Sequence, residues 1–209
     1  MYVDTLLRAQ FGKPSGLWGT LVMRPILNLA NMPLVDRTIE LLDPQPKDVV
    51  LDIGFGGGYS LVTMAGKVPR GKVVGVDYSR EMVDGAVRMI RAKSLDSRVR
   101  VQWGDVADLP FRAGSFHKVL TVNSLYYWPD LEAGLREIAR VLKRHGRLAA
   151  GFRSPASLRP LTRDWEGFAL YEPEEFAGIL RETGFDVLRA DHRGQWQVLD
   201  IVVVVGQRR

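Results

Sequence analysis

Short apolar runs closed by Gly or Asp alternate along this chain with longer segments whose apolar residues recur at helical spacing. That alternation predicts an α/β fold on a mostly parallel sheet. Residues 48–53 and 72–77 are near-continuous apolar runs, the signature of strands buried on both faces. Between them Leu61, Met64, Ala65 and Val68 keep helical spacing until Pro69 and Gly71 stop it, which completes a βαβ unit. Ser79 then caps a helix whose Met82, Val83, Ala86, Val87 and Ile90 face inward while Glu81, Arg88 and Arg91 face out. Strands follow at 99–103 and 118–122. A helix striped by Leu131, Leu135, Ile138 and Leu142 ends near Gly146, and a fifth strand occupies 147–152. After an irregular stretch, a helix over 173–183 has Pro173 in its first turn and Gly184 past its end. Strands at 185–191 and 198–206 are joined by six residues, too few for a crossover, so they must form an antiparallel hairpin. Residues 1–43 predict helices at 4–10, 18–30 and 34–42, broken by Gly12, Pro14, Gly16 and Pro33. They read as an N-terminal helical cap segment ahead of one compact domain at 44–209.

Composition narrows the function. With 209 residues, 46% of them hydrophobic and 25% charged, the chain can bury a full core as one domain. The absence of Cys removes disulfides, zinc–thiolate sites and Cys nucleophiles. The net charge of +5 suits an acidic partner and equally an Arg-rich surface. The start lacks the basic and apolar regions of a signal peptide, and no apolar run approaches the roughly 20 residues of a bilayer span. A cytoplasmic protein without a membrane span is expected.

The chemistry concentrates in Asp52-Ile53-Gly54-Phe55-Gly56-Gly57-Gly58, placed between a strand and a helix. Glycines at 54, 56 and 58 let the backbone turn tightly and approach a ligand without a Cβ in the way. A dinucleotide loop would need a third small residue at position 59, which is Tyr59, so hydride transfer loses support. A P-loop would need Lys after Gly58, and none is there. Nineteen residues after Gly58, Asp77 closes the second strand, where a carboxylate can accept both hydroxyls of a ribose. Asp105 follows the next strand and suits an adenine amine, with Asp108 nearby as a competitor. These features outline a pocket for an adenosine whose substituent carries no phosphate.

At this point the sequence resembles the class I S-adenosylmethionine-dependent methyltransferases. The resemblance runs from about Asp36 to Gly206 and rests on 50–58, 75–79, 104–111 and 131–148. It implies a Rossmann-like seven-stranded sheet with an antiparallel last strand, and S-adenosylmethionine as cofactor. It also implies cofactor contacts from Asp52, Gly54, Gly56, Gly58, Asp77, Tyr78, Asp105, Val106 and Asn123. Of these, the glycines would pass the methionine part, Asp77 would hold the ribose, and Asp105 with Val106 the adenine. The chain departs from the family at Lys143-Arg144-His145-Gly146, where relatives have Lys-Pro-Gly-Gly, and at His117, where relatives have Asp.

A sulfonium methyl is already electrophilic, so the protein must align a nucleophile and, for a hydroxyl, remove its proton. His192, near the end of the sixth strand, is the first candidate for a base because imidazole titrates near neutrality, against the alternative of a solvated hairpin histidine. Tyr126, Tyr127 and Trp128 either wall an apolar substrate or pack into the core. Arg153, Arg159 and Arg163 either grip an anionic substrate or lie on a solvated surface. His117 and His145 fall at the opposite edge and read as structural, and the three histidines form no metal signature. The expected function is methylation of a small molecule, on the oxygen of a phenol, quinol, sugar or polyketide-type hydroxyl. One alternative is a nucleic-acid methyltransferase, although Asn123-Ser124-Leu125-Tyr126 lacks the Pro-Pro of base-amine enzymes. The other is a non-enzymatic nucleotide-binding module. The N-terminal helices are candidates for a lid, a homodimer contact or both.

Overall fold

The computed structural model describes residues 24–162, 168–193 and 200–209. Helix α1 (Arg24–Leu42) leads into β1 (Val49–Ile53), α2 (Tyr59–Lys67), β2 (Lys72–Asp77), α3 (Arg80–Ala92) and β3 (Val99–Trp103). Then come β4 (Phe116–Val122), a 3₁₀ turn (Leu125–Tyr127), α4 (Leu131–Val141), β5 (Leu142–Phe152), α5 (Pro155–Thr162), α6 (Pro173–Glu182), β6 (Phe185–Arg193) and β7 (Ile201–Arg208). The seven strands make one sheet in the order β3-β2-β1-β4-β5-β7-β6, with β7 antiparallel to both neighbours and every other pair parallel.

Alternation along the strands divides the core into two layers. Val50, Leu120, Ala149 and Val203 pack with α1, α2 and α3, whereas Leu51, Val119, Leu148 and Val202 pack with α4 and α6. Burial on both faces explains why the strands read as unbroken apolar runs. Strand order reverses between β1 and β4, and the carboxyl ends of β1 to β5 open on one edge, the place where open α/β sheets bind ligands. Local signals match the pattern: Ser79 Oγ accepts from Met82 N (3.3 Å) to cap α3, and Asp130 Oδ1 accepts from Ala133 N (2.9 Å) to cap α4.

Three boundaries differ from the sequence pattern. Pro33 does not break α1, which runs through it. Leu34, Thr38, Ile39 and Leu42 are all but fully buried on the sheet, and that packing outweighs the one hydrogen bond a proline removes. This part of the N-terminal region is therefore a layer of the core, so close to β5 that a Cβ on Gly151 would sit 2.1 Å from Thr38 Oγ1. Second, α4 stops at Val141 and β5 begins at once with Leu142, five residues earlier than predicted, because Leu142 pairs with Phe116 before a bulge restores the register at Arg147. Third, β6 extends to Arg193 and β7 starts only at Ile201, since the pairing His192↔Val202 and Arg193↔Ile201 continues past the predicted end. The predicted helix at 4–10 and the start of the one at 18–30 lie outside the described residues. Among those described, no helix is long and apolar enough to cross a membrane.

Candidate functional site

The loop from β1 to α2 is held from both sides. Gly54 (φ +70°) donates its N–H to the Val76 carbonyl (2.8 Å), and a Cβ there would lie 2.5 Å from Ser124 Cβ, so only glycine fits. Gly56 N donates to Asp77 Oδ2 (3.0 Å), and Ser79 N donates to Asp77 Oδ1 (2.9 Å). Asp77 thus ties the glycine loop to the end of β2. Each carboxylate oxygen accepts one backbone N–H and keeps a further lone pair, which leaves two acceptors for a vicinal diol. Burial pushes the Asp77 carboxyl above its ordinary range, and the two backbone hydrogen bonds work against that rise.

Asp52, one residue before the end of β1, is 1% exposed beneath the first turn of α2. Burial pushes its carboxyl up to about 7, opposed by a hydrogen bond from Ser60 and reinforced by the charge of Asp77. Among the described residues its Oδ2 has no hydrogen-bond partner, a costly condition that a cationic or donor ligand group relieves.

Beyond Asp77, Tyr78 is 71% exposed and its ring tilts against Trp103 at 5.9 Å. Trp103 Nε1 donates to the Tyr78 carbonyl (2.8 Å), and Gly104 N donates to the Asp77 carbonyl (3.2 Å), so the ends of β2 and β3 are laced together. Asp105 Oδ1 accepts from Ala107 N (2.9 Å) in a turn that also bridges to Asp108. The Val106 side chain is buried in the core, where it faces Gly134, so the contribution left to it at the crevice is its backbone. The aromatic pair and the Asp105 turn are thus both carried by the tips of β2 and β3.

On the other side of β1, Asn123 directly follows β4 with φ +53°. Its Nδ2 donates to Asn31 Oδ1 (3.0 Å), and its Oδ1 accepts from the Tyr126 hydroxyl (3.1 Å). The aromatic triplet separates. Tyr126 and Trp128 are buried in the core layer, whereas Tyr127 is 52% exposed and meets Phe168 edge-on at 5.2 Å. The Tyr126 hydroxyl also accepts from Arg153 N (2.5 Å), and burial raises its pKa strongly, so this phenol stays protonated and cannot act as a base. Burial raises the Tyr127 phenol too, which suits it to donate a hydrogen bond and not to accept a proton.

His192 lies at the same edge, with Nε2 2.8 Å from Asp200 Oδ2. Of the arginines, Arg153 is 4% exposed and donates to the Asp200 carbonyl (2.9 Å) and to Asn31 Oδ1 (3.3 Å), so it is an interior strut and not a surface grip. Arg159 is exposed, and Arg163 lies outside the described residues. His117 accepts from Val49 N (3.0 Å) at the far edge, and His145 takes φ +61° in the bulge of β5. Sequence reasoning missed Asn31, Ser157 and Asp200. The one cue for Asp200 is an acid directly before the apolar run of β7.

The glycine cradle, the free acceptors of Asp77 and the orphaned carboxylate oxygen of Asp52 are groups that an adenosine with a cationic amino-acid tail would satisfy. A family model described as a methyltransferase domain matches residues 50–146. The chain is 37% identical over 134 residues to nocamycin O-methyltransferase of Saccharothrix syringae, covering 64% of this chain and 46% of that one. It is 31% identical over 179 residues to 27-O-demethylrifamycin SV methyltransferase of Amycolatopsis mediterranei, covering 81% and 65%. Among solved structures, a SAM-dependent methyltransferase from Aquifex aeolicus superimposes with TM-score 0.73 at 21% identity, over 86% of this chain and 93% of that one. The chain spans about half the length of the curated relatives it matches. Residues 50–146 are a methyltransferase domain, the fold is that of solved S-adenosylmethionine-dependent methyltransferases, and S-adenosylmethionine is the cofactor these residues fit.

Gly56 offers a clean test of that fit. A Cβ on it would meet nothing within 4 Å, so Gly56→Ala creates no clash and costs only the left-handed backbone, about 1–2 kcal/mol. Its methyl would project into the open space that a cofactor over the glycine loop would fill. Calorimetric titration with S-adenosylhomocysteine is expected to show affinity at least tenfold lower, with the fold retained by circular dichroism.

Proposed function

We propose that this protein transfers a methyl group from S-adenosylmethionine to a hydroxyl of a small, largely apolar molecule of phenol, quinol, sugar or polyketide type. The observation that carries this reading is the exposed edge of Tyr127 against Phe168, stacked in turn on Tyr126 at 4.7 Å, just past the end of β4. These rings offer an apolar wall beside the glycine loop, with Asn123 at its foot. The bound cofactor supplies an electrophilic methyl, and the chain's task is to hold the acceptor oxygen in line and keep water out. The relatives named for nocamycin and for 27-O-demethylrifamycin SV support a small-molecule acceptor.

Incubation with isotopically labelled S-adenosylmethionine and a panel of a catechol, a naphthoquinol, a macrolactone alcohol and RNA tests the reading. Label is expected on oxygen of at least one small acceptor, with stoichiometric S-adenosylhomocysteine. Label confined to carbon or to RNA contradicts it.

A further inference from the structure

His192 and Asp200 face each other at the start of the β6–β7 hairpin, outside the residues assigned to the cofactor. Strand alternation puts His192 on the sheet face of its partner Val202, the layer that Phe152, Phe168 and Tyr171 share, while Asp191 points to α1 and pairs with Arg37 (2.8 Å). Asp200 is 4% exposed and built in: its Oδ1 accepts from Ser154 N (3.1 Å) and from the Ser157 hydroxyl of α5. Burial works against its charge, but hydrogen bonds from Ser154, Ser157 and His192 prevail and hold the carboxyl below its ordinary range. Oδ2 is therefore an anionic acceptor, and the ring nitrogen facing it at 2.8 Å, Nε2, must be the one that carries hydrogen.

That leaves Nδ1 with its lone pair. Among the described residues Nδ1 has no hydrogen-bond partner, and the side chain is 45% exposed at the carboxyl edge. The dyad also connects to the rest of the site. Arg153 links Asp200 to Asn31, and Asn31 links to Asn123 at the end of β4, beside the Ser124 that abuts Gly54. We propose that His192 is the general base that takes the acceptor's hydroxyl proton on Nδ1, with Asp200 as the positioning residue that fixes its ring. The inference rests on the O-methylation reading. In the step the O–H bond breaks and Nδ1–H forms. The freed oxygen pair makes the O–CH₃ bond as the S–CH₃ pair returns to sulfur, and the imidazolium's new charge faces the Asp200 carboxylate.

The charged and titratable groups around the ring are Asp200 and Arg153, with Tyr126 behind them; Arg37, Arg189 and Arg193 gather on Asp191 across the strand. The first measurement needs no acceptor. Long-range proton–nitrogen NMR of ¹⁵N-histidine protein saturated with S-adenosylhomocysteine should show His192 as the Nε2–H tautomer, and Asp200→Asn should abolish that preference. The second uses catechol as acceptor, whose hydroxyls stay protonated at neutral pH and so need a base. His192→Gln should lower kcat about 100-fold with KM within threefold, and remove the acidic limb of the pH profile; Asp200→Asn should lower kcat less and shift that limb. A mere hairpin staple would lower Tm while leaving the limb and the KM-against-kcat split unchanged. An Nδ1–H tautomer in the wild type, or undiminished kcat in His192→Gln, overturns the proposal. If wild-type protein methylates no hydroxyl at all, the O-methylation reading falls and takes the proton transfer with it, while the NMR result still decides the pairing.

Discussion

Asp77→Ala is expected to lose S-adenosylhomocysteine binding by about 100-fold or more. Two effects combine in it. The variant removes the acceptors for a ribose diol, where hydrogen bonds to a charged group are worth about 1.5–3 kcal/mol each. It also frees Gly56 N and Ser79 N, so the glycine loop loses its tie to β2. Asp77→Asn separates the two, because the amide oxygen still accepts one backbone N–H while its NH₂ faces a donor. Calorimetry should rank the affinities wild type, then Asn, then Ala, and an Ala variant that binds within threefold of wild type would contradict the assignment.

Asp52→Asn should act in opposite directions on stability and on binding. In the folded chain Asp52 holds its proton up to about pH 7, whereas an unfolded aspartate releases it at about 3.9. The contribution of the protonated form is therefore complete below about pH 4 and is lost as pH rises through about 7. A shift of about three units corresponds to at most about 4 kcal/mol. Asparagine imitates the protonated acid, so without cofactor the variant should gain about 2–4 kcal/mol over wild type at pH 8 and much less at pH 5, read by urea unfolding. With cofactor the order reverses: the cationic tail loses its carboxylate, and affinity should fall at least tenfold. Equal stability of variant and wild type at pH 8 would show that Asp52 is not held protonated by burial.

The geometry that neighbours in sequence build at the candidate site was legible in advance. Gly54, Gly56 and Asp77 announce themselves because a tight turn, a close approach and a strand-end acid each demand a particular residue type at a fixed spacing. The sheet was legible for a similar reason, since burial on both faces leaves runs such as Val73-Val74 and Val202-Val203-Val204-Val205 with no polar alternation. Where the reading went astray, tertiary contacts override local signals. Pro33 looks like a break, yet the burial of Leu34, Ile39 and Leu42 carries α1 through it. Ser157 and Asn31 carry no local pattern at all, and Asp200 has only its place before the apolar run of β7. They meet only because β5, β7, α5 and α1 converge at one edge, bringing Asn31 to a residue 122 positions away.

A crystal structure of the protein with S-adenosylhomocysteine decides whether three adjacent strand tips, those of β1, β2 and β3, receive the nucleoside. Both sugar hydroxyls are expected within hydrogen-bonding distance of the Asp77 carboxylate, the base beside Tyr78 and Asp105, and the amino-acid tail over Gly56. Density for the nucleoside at another edge of the sheet, or a sugar that leaves Asp77 untouched, would contradict that placement.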